Sequence, residues 1–127
     1  MRWNNTPKDI TQHHGFVYKI TNLLTGQMYI GKKSFWSKKT HKPLKGRVNK
    51  RHSLVESDWK DYWGSSNKLL VDVEKLGKEK FKREMLHHCS SKFELSYMEL
   101  FEQIKDGVLF DDRYYNEIIN IRLRYQK

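Results

Sequence analysis

The sequence predicts a single compact α+β domain in which a small three-stranded antiparallel sheet is flanked by helices. Residues 15–22 and 28–35 are rich in β-branched and aromatic residues, and a polar connection with Gly26 separates them, which is typical of a β-hairpin. A mixed segment at 80–88 predicts the third strand, and apolar residues recur at helical spacing on either side of it. A chain of 127 residues is long enough for one such core but not for two.

The first predicted helix begins after the serine pair at Ser65 and Ser66, either of which is a good N-cap. It runs to about Leu76 and ends before Gly77, a typical C-terminal glycine. Ser57 is expected to cap a short helical turn further upstream. One face of the helix is predicted to be buried because four apolar residues recur at helical spacing: Leu69, Leu70, Val73 and Leu76.

The second predicted helix begins at Ser90 or Ser91 and runs to about Lys105, before Asp106 and Gly107. Five residues form an apolar stripe along it, which is typical of the face that a helix turns toward a core: Phe93, Tyr97, Leu100, Phe101 and Ile104. The helical wheel places Glu99 beside Leu95 and off the centre of this stripe, so periodicity does not decide whether that carboxylate is buried.

The most biased segment of the chain is residues 32–51, which contain nine lysines and arginines and no acidic residue. A proline and a glycine within it predict a loop rather than one long helix. We interpret residues 1–13 as a polar N-terminal arm, residues 14–127 as the domain, and residues 36–55 as a basic loop inserted into that domain.

The charge of the chain predicts a polyanionic partner. The formal net charge is +10 and the isoelectric point is about 9.7, and nucleic acid is the commonest partner of such a protein. We expect no membrane partner, since no run of about 18 apolar residues and no signal-peptide pattern is present. The single cysteine, Cys89, cannot form an internal disulfide, so we expect a reducing compartment, the cytoplasm.

Alternation along the second strand brings Tyr29, Gly31 and Lys33 to one face and turns Lys32 to the other. A glycine in the middle of that row leaves the backbone open to close approach, and a phosphate beside a phenol and an ammonium group is a natural ligand. The alternative is that the glycine relieves strand twist and the lysines are solvated, and the strand pattern by itself leaves both open.

The motifs of this hairpin resemble those of the GIY-YIG nuclease family. GFVY at 15–18 corresponds to the first motif and YIG at 29–31 to the second, and Tyr29 follows Tyr18 by eleven positions. Further along, the family places a glutamate on a helix and then an asparagine after an aromatic residue. Glu99 in SYMELFEQI and Asn116 in RYYNEI match these two positions in order. The resemblance covers roughly residues 14–120.

The resemblance implies a metal-dependent DNA endonuclease, similar to the stand-alone phage-type members of the family. It implies one divalent ion, Mg²⁺ or Mn²⁺, held by Glu99. Tyr18 is our candidate general base, with Tyr29 orienting water or phosphate. We expect Lys33 and a nearby arginine to favour the phenolate by lowering the pKa of the phenol. Asn116 is expected to position the site through its amide, although an Asx turn is an equally good interpretation of that residue.

The family also supplies an arginine after the second motif, and three residues in the basic segment are candidates for it: Arg47, Arg51 and His52. Chain order favours Arg51. The basic segment as a whole is expected to contact the DNA backbone without reading sequence, through Lys32, Lys38, Lys39, Lys42, Lys45, Arg47 and Lys50. A homodimer is expected if both strands are cut. The alternative function is a non-catalytic DNA-binding or regulatory protein that keeps the nuclease fold.

Overall fold

The computed structural model describes residues 2–49 and 51–126 and shows the predicted α+β architecture. Lys50, one of the predicted DNA contacts, lies outside the described residues. The central sheet has three antiparallel strands in the order β2-β1-β5: β1 (Gly15–Asn22), β2 (Met28–Ser34) and β5 (Phe81–Cys89). The predicted hairpin and third strand are therefore confirmed. No described helix is long and apolar enough to cross a membrane.

Both predicted helices form, and each begins at one of the expected serines. The Ser66 hydroxyl accepts a hydrogen bond from the Leu69 backbone N–H at 3.3 Å and caps α1 (Asn67–Leu76), which Gly77 ends with φ of 96°. The hydroxyl of Ser91 caps α2 (Lys92–Lys105) in the same way. On α1, Leu69 and Val73 are buried as predicted, whereas Leu70 is exposed.

The sheet is covered on both faces, and alternation along β1 divides its side chains between two apolar clusters. Phe16, Tyr18 and Ile20 face the cluster that also contains Trp59, Trp63 and Leu69. Val17 faces the opposite cluster, which contains Ile30, Cys89 and Leu95. The N-terminal segment packs onto the first cluster, because Trp3 is buried there and its indole N–H donates to the Trp59 carbonyl at 2.8 Å.

The basic segment was predicted to be a loop, but most of it forms a two-stranded β-hairpin. Its strands are β3 (Trp36–His41) and β4 (Arg51–Glu56), paired antiparallel. Their backbones satisfy each other across the pair, which a proline and a glycine in the connecting turn allow. The prediction for Ser57 was also wrong. Its hydroxyl donates to the Ser34 carbonyl at 2.6 Å, and the short helical turn Trp59–Asp61 follows Asp58 without a side-chain cap.

The orientation of α2 is the largest departure from the sequence prediction. The apolar stripe faces outward, with Tyr97 52% exposed, Phe101 47% and Ile104 63%. The buried face is mainly polar: Leu95, Ser96, Glu99, Glu102 and Gln103.

Buried polar groups are tolerated when they have partners, and the sheet supplies partners to this face of α2. The Lys32 ammonium donates to the Ser96 hydroxyl at 2.8 Å, and the His87 ring lies 2.7 Å from a carboxylate oxygen of Glu102. Gln103 donates to the Ile30 carbonyl at 3.1 Å. These bonds hold the polar face of α2 against the sheet and turn Glu99 inward.

Candidate active site

A cleft of about 480 Å³ lies where β2, the start of α1, α2 and the segment after residue 114 meet. Three of the predicted site residues line it: Tyr29 from β2, Glu99 from α2 and Asn116 from the last segment. These residues are as much as 87 positions apart in the sequence, and the fold brings them to one surface. The residues that match the family's motifs in chain order therefore also lie together in space.

Tyr18 does not line the cleft. Its side chain is only 1% exposed and lies against Gly31, its cross-strand partner on β2. A Cβ atom at Gly31 would lie 2.5 Å from the Tyr18 hydroxyl oxygen and 2.9 Å from Cε2 of Tyr29. The absent side chain of Gly31 therefore makes room for the Tyr18 phenol. The expectation that this glycine opens the backbone to a phosphate is corrected, since Tyr18 fills that space.

The expected lowering of the Tyr18 pKa is not found. Burial raises the pKa of Tyr18 well above its usual value, and the neighbouring phenols of Tyr62 and Tyr29 raise it further. Lys33 does not offset this effect. Its ammonium lies 2.6 Å from a carboxylate oxygen of Asp58 and 4.3 Å from the centre of the Tyr62 ring.

Of the two motif tyrosines, Tyr29 is the one that lines the cleft. Its hydroxyl lies 2.9 Å from the Ser65 hydroxyl, so each can orient the other. Burial raises the pKa of Tyr29, while the hydrogen bond to Ser65 acts in the opposite direction. Tyr29 is therefore a neutral, oriented hydroxyl group at neutral pH, able to donate to or accept from a molecule in the cleft.

Two carboxylates line the cleft, and Glu99 is the buried one, at 9% exposed, whereas Glu117 is exposed. Burial raises the pKa of Glu99, opposed by the charge and the backbone N–H of Lys32. Lys32, a predicted contact to the DNA backbone, thus lies beside Glu99, and its ammonium donates to the Ser96 hydroxyl. A partly desolvated carboxylate gains from a cation at close range, because the cation replaces the hydration that burial removed.

Both ends of the Asn116 amide bond the backbone of a single residue of β2, Ile30. The amide oxygen accepts from the Ile30 N–H at 3.0 Å, and the amide nitrogen donates to the Ile30 carbonyl at 2.8 Å. The Asn116 side chain therefore bonds β2 and does not form the Asx turn of the alternative interpretation. These bonds fasten the last segment beside Tyr29 and Gly31, which agrees with a positioning role.

The three candidates for the family's cation all lie on the hairpin, away from the residues that line the cleft. Arg51 donates from Nε to the Lys42 carbonyl at 3.3 Å, and His52 lies 3.3 Å from the Thr40 hydroxyl. The structure does not bring Arg51 to Glu99. Among the described residues, the cation that lines the cleft is Lys68, whose ammonium lies 2.7 Å from a carboxylate oxygen of Glu117.

Sequence reasoning missed Lys68, Ser65 and Gln103 as residues of the cleft. Two of them carried a usable signal. Gln103 follows Glu99 by four residues, so both lie on the same side of a helix. Lys68 lies in the first turn of α1, directly after the Ser66 cap, so its side chain is close to the start of that helix. Ser65 had no such signal, because its role depends on how the chain enters α1.

The family assignment rests on a direct comparison as well as on this geometry. The model of a family described as "Putative endonuclease segE, GIY-YIG domain" matches residues 2–119. The chain belongs to the GIY-YIG family. No curated protein and no solved structure matched the chain. The recognition made from the hairpin motifs is confirmed, and the domain is a nuclease domain whose substrate class is DNA.

GIY-YIG nucleases generally use divalent metal ions, and the cleft offers suitable donors. Within residues 2–49 and 51–126, no group of three or more His, Cys, Asp or Glu side chains is placed to hold a metal. The Glu99 carboxylate is a hard oxygen ligand, which suits Mg²⁺ and Mn²⁺, and the amide of Gln103 lines the same cleft. The amide oxygen is buried and has no hydrogen-bond partner among the described residues. The donor set therefore fits one hydrated divalent ion.

Replacing Glu99 by glutamine should stabilise the metal-free protein at neutral pH. A raised pKa means that the folded state binds the proton more tightly than the unfolded state, so the stability of the wild type falls as the pH rises through that pKa. Glutamine keeps the shape and does not ionise. Urea unfolding should give Glu99→Gln the larger free energy of unfolding at pH 7, and the difference should shrink below pH of about 4. A variant less stable than wild type at pH 7 would contradict the burial argument.

Proposed function

We propose that this protein is a metal-dependent DNA endonuclease that hydrolyses phosphodiester bonds with one Mg²⁺ or Mn²⁺ ion held by Glu99. The observation that supports it is the meeting of Tyr29, Glu99 and Asn116 in one cleft of a GIY-YIG domain. We further propose that it acts in the cytoplasm, that of the host cell if a phage encodes it. Its one cysteine, Cys89, is a buried free thiol, which suits a reducing compartment; fractionation of expressing cells checks this.

Each side chain of the cleft has a distinct task in this proposal. When bound, the divalent ion would neutralise charge on the phosphate and stabilise the leaving 3′ oxygen. Glu99 would hold it. Tyr29, oriented by Ser65, would orient the attacking water, since its hydroxyl faces the cleft. Tyr18 keeps its proton at neutral pH, so we assign it the support of Tyr29, whose ring centre lies 6.1 Å from its own.

The hairpin and the cleft would hold DNA in different ways. The described lysines and arginines of the hairpin are exposed, and they suit contacts to backbone phosphates on either side of the cut: Lys38, Lys39, Lys42, Lys45, Arg47 and Arg51. Lys68 suits the phosphate that is cut, because it lines the cleft with Glu99. We therefore propose Lys68, rather than Arg51, for the cationic role at the reacting phosphate.

Loss of the Glu99 carboxylate should abolish cutting without abolishing DNA binding. With supercoiled plasmid and Mg²⁺ or Mn²⁺, we expect Glu99→Ala to nick at least about a hundredfold more slowly than wild type, because the metal loses its protein ligand. Glu74→Ala, which removes an exposed carboxylate on α1, is the matched control. Equal nicking by Glu99→Ala and wild type would show that the site is wrongly assigned.

The same assay separates this function from its alternative, a DNA-binding protein without activity. The location of Arg51, outside the cleft, is the observation that favours the alternative. Wild-type protein that shifts a DNA duplex in a gel but cuts it with neither Mg²⁺ nor Mn²⁺ would support the alternative and exclude the nuclease.

Lys68 and Arg51 should affect different steps. Lys68→Ala should lower the single-turnover cleavage rate by about a hundredfold, as expected for a group that stabilises charge on the phosphate. Arg51→Ala should weaken DNA binding and reduce its salt dependence by about one phosphate contact, with little effect on the rate at saturating protein. Lys75→Ala, at an exposed position on the same helix as Lys68, is the control. A larger loss of rate in Arg51→Ala than in Lys68→Ala would reverse the assignment.

One cleft cuts one strand, so we propose that the chain forms a homodimer when it cuts both. The outward face of α2 is the surface that we assign to the second copy, because its apolar residues follow the heptad spacing of self-associating helices: Phe93, Tyr97, Leu100 and Ile104. That face lies opposite Glu99 on the helix, so pairing would leave both clefts open.

Two acidic substitutions on this face should prevent the dimer. Tyr97→Glu with Ile104→Glu places charge on two exposed residues of this face, so the fold should tolerate it. Sedimentation equilibrium should then show a monomer at concentrations where wild type is dimeric, and plasmid should be nicked but not linearised. Val71→Glu, on the exposed side of α1, is the matched control. A wild type that stays monomeric up to about 100 μM, in the weak range of association, would overturn the dimer.

A further inference from the structure

Gln103 is a buried amide of which only one end has a partner. Its side chain is 5% exposed, and its nitrogen donates to the Ile30 carbonyl at 3.1 Å. Its oxygen is buried and has no hydrogen-bond partner among residues 2–49 and 51–126. Buried acceptors nearly always have a donor, so this oxygen calls for one that the protein itself does not supply.

The orientation of this amide is determined by its neighbours. The Ile30 carbonyl already accepts from the Asn116 amide nitrogen at 2.8 Å. Exchanging the nitrogen and oxygen of Gln103 would place two acceptors against each other at 3.1 Å. The end of Gln103 that points away from Ile30 is therefore the oxygen.

The location of Gln103 indicates where the missing donor comes from. Gln103 lies one helical turn after Glu99, and both side chains line the same cleft. Lys68, the lysine that lines this cleft among the described residues, is paired with Glu117. A hydrogen-bond donor that binds in the cleft beside Glu99 would lie close to the Gln103 oxygen. The water molecules in the hydration shell of a divalent ion are such donors.

We propose that Gln103 is a positioning residue for the metal of this nuclease: its amide oxygen accepts a hydrogen bond from the hydration shell of the ion held by Glu99. This inference rests on the proposed function. It gives Gln103 two connected tasks, because the same amide that orients the hydrated ion is held in place by Ile30, next to the Tyr29 and Gly31 motif. Groups that orient a metal in this way typically contribute tenfold or more to metal affinity.

The rival explanation is that Gln103 only ties α2 to β2, and two substitutions separate the explanations by sign. Gln103→Leu removes both the donor and the acceptor. Gln103→Glu loses the donor to Ile30 but keeps an oxygen acceptor and adds charge. A metal role predicts opposite effects on metal affinity, whereas a purely structural role predicts the same effect for both, because both lose the bond to Ile30.

Binding of Mn²⁺ to the intact, DNA-free protein, measured by electron paramagnetic resonance, provides a readout that does not depend on cleavage. We expect Gln103→Leu to weaken Mn²⁺ binding about tenfold and Gln103→Glu to bind at least as tightly as wild type. Gln12→Leu, the same change at an exposed position, should leave binding unchanged. Urea unfolding without metal verifies that each variant is folded, and Gln103→Met, of similar length and without a strong acceptor, replaces Gln103→Leu if that variant does not fold.

The outcomes distinguish this inference from the function on which it rests. Glu99→Gln should abolish the Mn²⁺ signal of the cleft. If it binds as well as wild type, the metal site of the proposed function is wrong. If Glu99→Gln abolishes binding while Gln103→Leu and Gln103→Glu both match wild type, or both weaken binding equally, the role of Gln103 is overturned and the nuclease proposal stands.

Discussion

The candidate site depends on how the outer edge of β2 is satisfied. β2 is an edge strand of the sheet, and the N–H and C=O of Ile30 point away from β1. Buried backbone groups of this kind need partners, and within the part of the chain that the structure describes no further strand of the sheet pairs with this edge. The amide of Asn116 bonds both groups, and Gln103 adds a second donor to the carbonyl. The backbone of one residue thus fixes α2 and the last segment relative to the tyrosine motif.

The segment before Asn116 continues this arrangement along the same edge. The Met28 N–H donates to the Arg113 carbonyl at 2.7 Å, and the Tyr115 N–H donates to the Met28 carbonyl at 2.7 Å. The segment therefore runs beside β2 as a short strand-like cover, and the side chain of Asn116 takes over where the backbone pairing stops. This cover protects an edge that would otherwise be open to pairing with another chain, and it forms one wall of the cleft.

The polar inner face of α2 lowers the stability of the metal-free protein. A helix with its apolar stripe on the sheet would bury more hydrocarbon and leave no buried carboxylate. Here Glu99 and Gln103 are buried, one with a raised pKa and the other with an oxygen that has no hydrogen-bond partner among the described residues. In our proposal, a hydrated cation in the cleft would offset both costs. The two motif tyrosines also differ in their surroundings. Tyr18 is buried against Gly31, whereas Tyr29 lines the cleft.

The sequence by itself determined the local elements and the order of the motifs. Strand alternation, the caps at Ser66 and Ser91 and the stop at Gly77 depend on neighbouring residues, so they could be predicted from the chain. The pairing of β3 with β4 was missed, because a long connection separates two strands of low apolar content. Only the tertiary structure decided which face of α2 is buried, since the hydrogen bonds that this face makes with Lys32, His87 and the Ile30 carbonyl outweigh the helical pattern there. The tertiary structure also decided that Lys33 forms an ion pair with Asp58 and that Lys68 lines the cleft. Ion pairs depend on the distance between charges in space, which their separation along the chain does not determine.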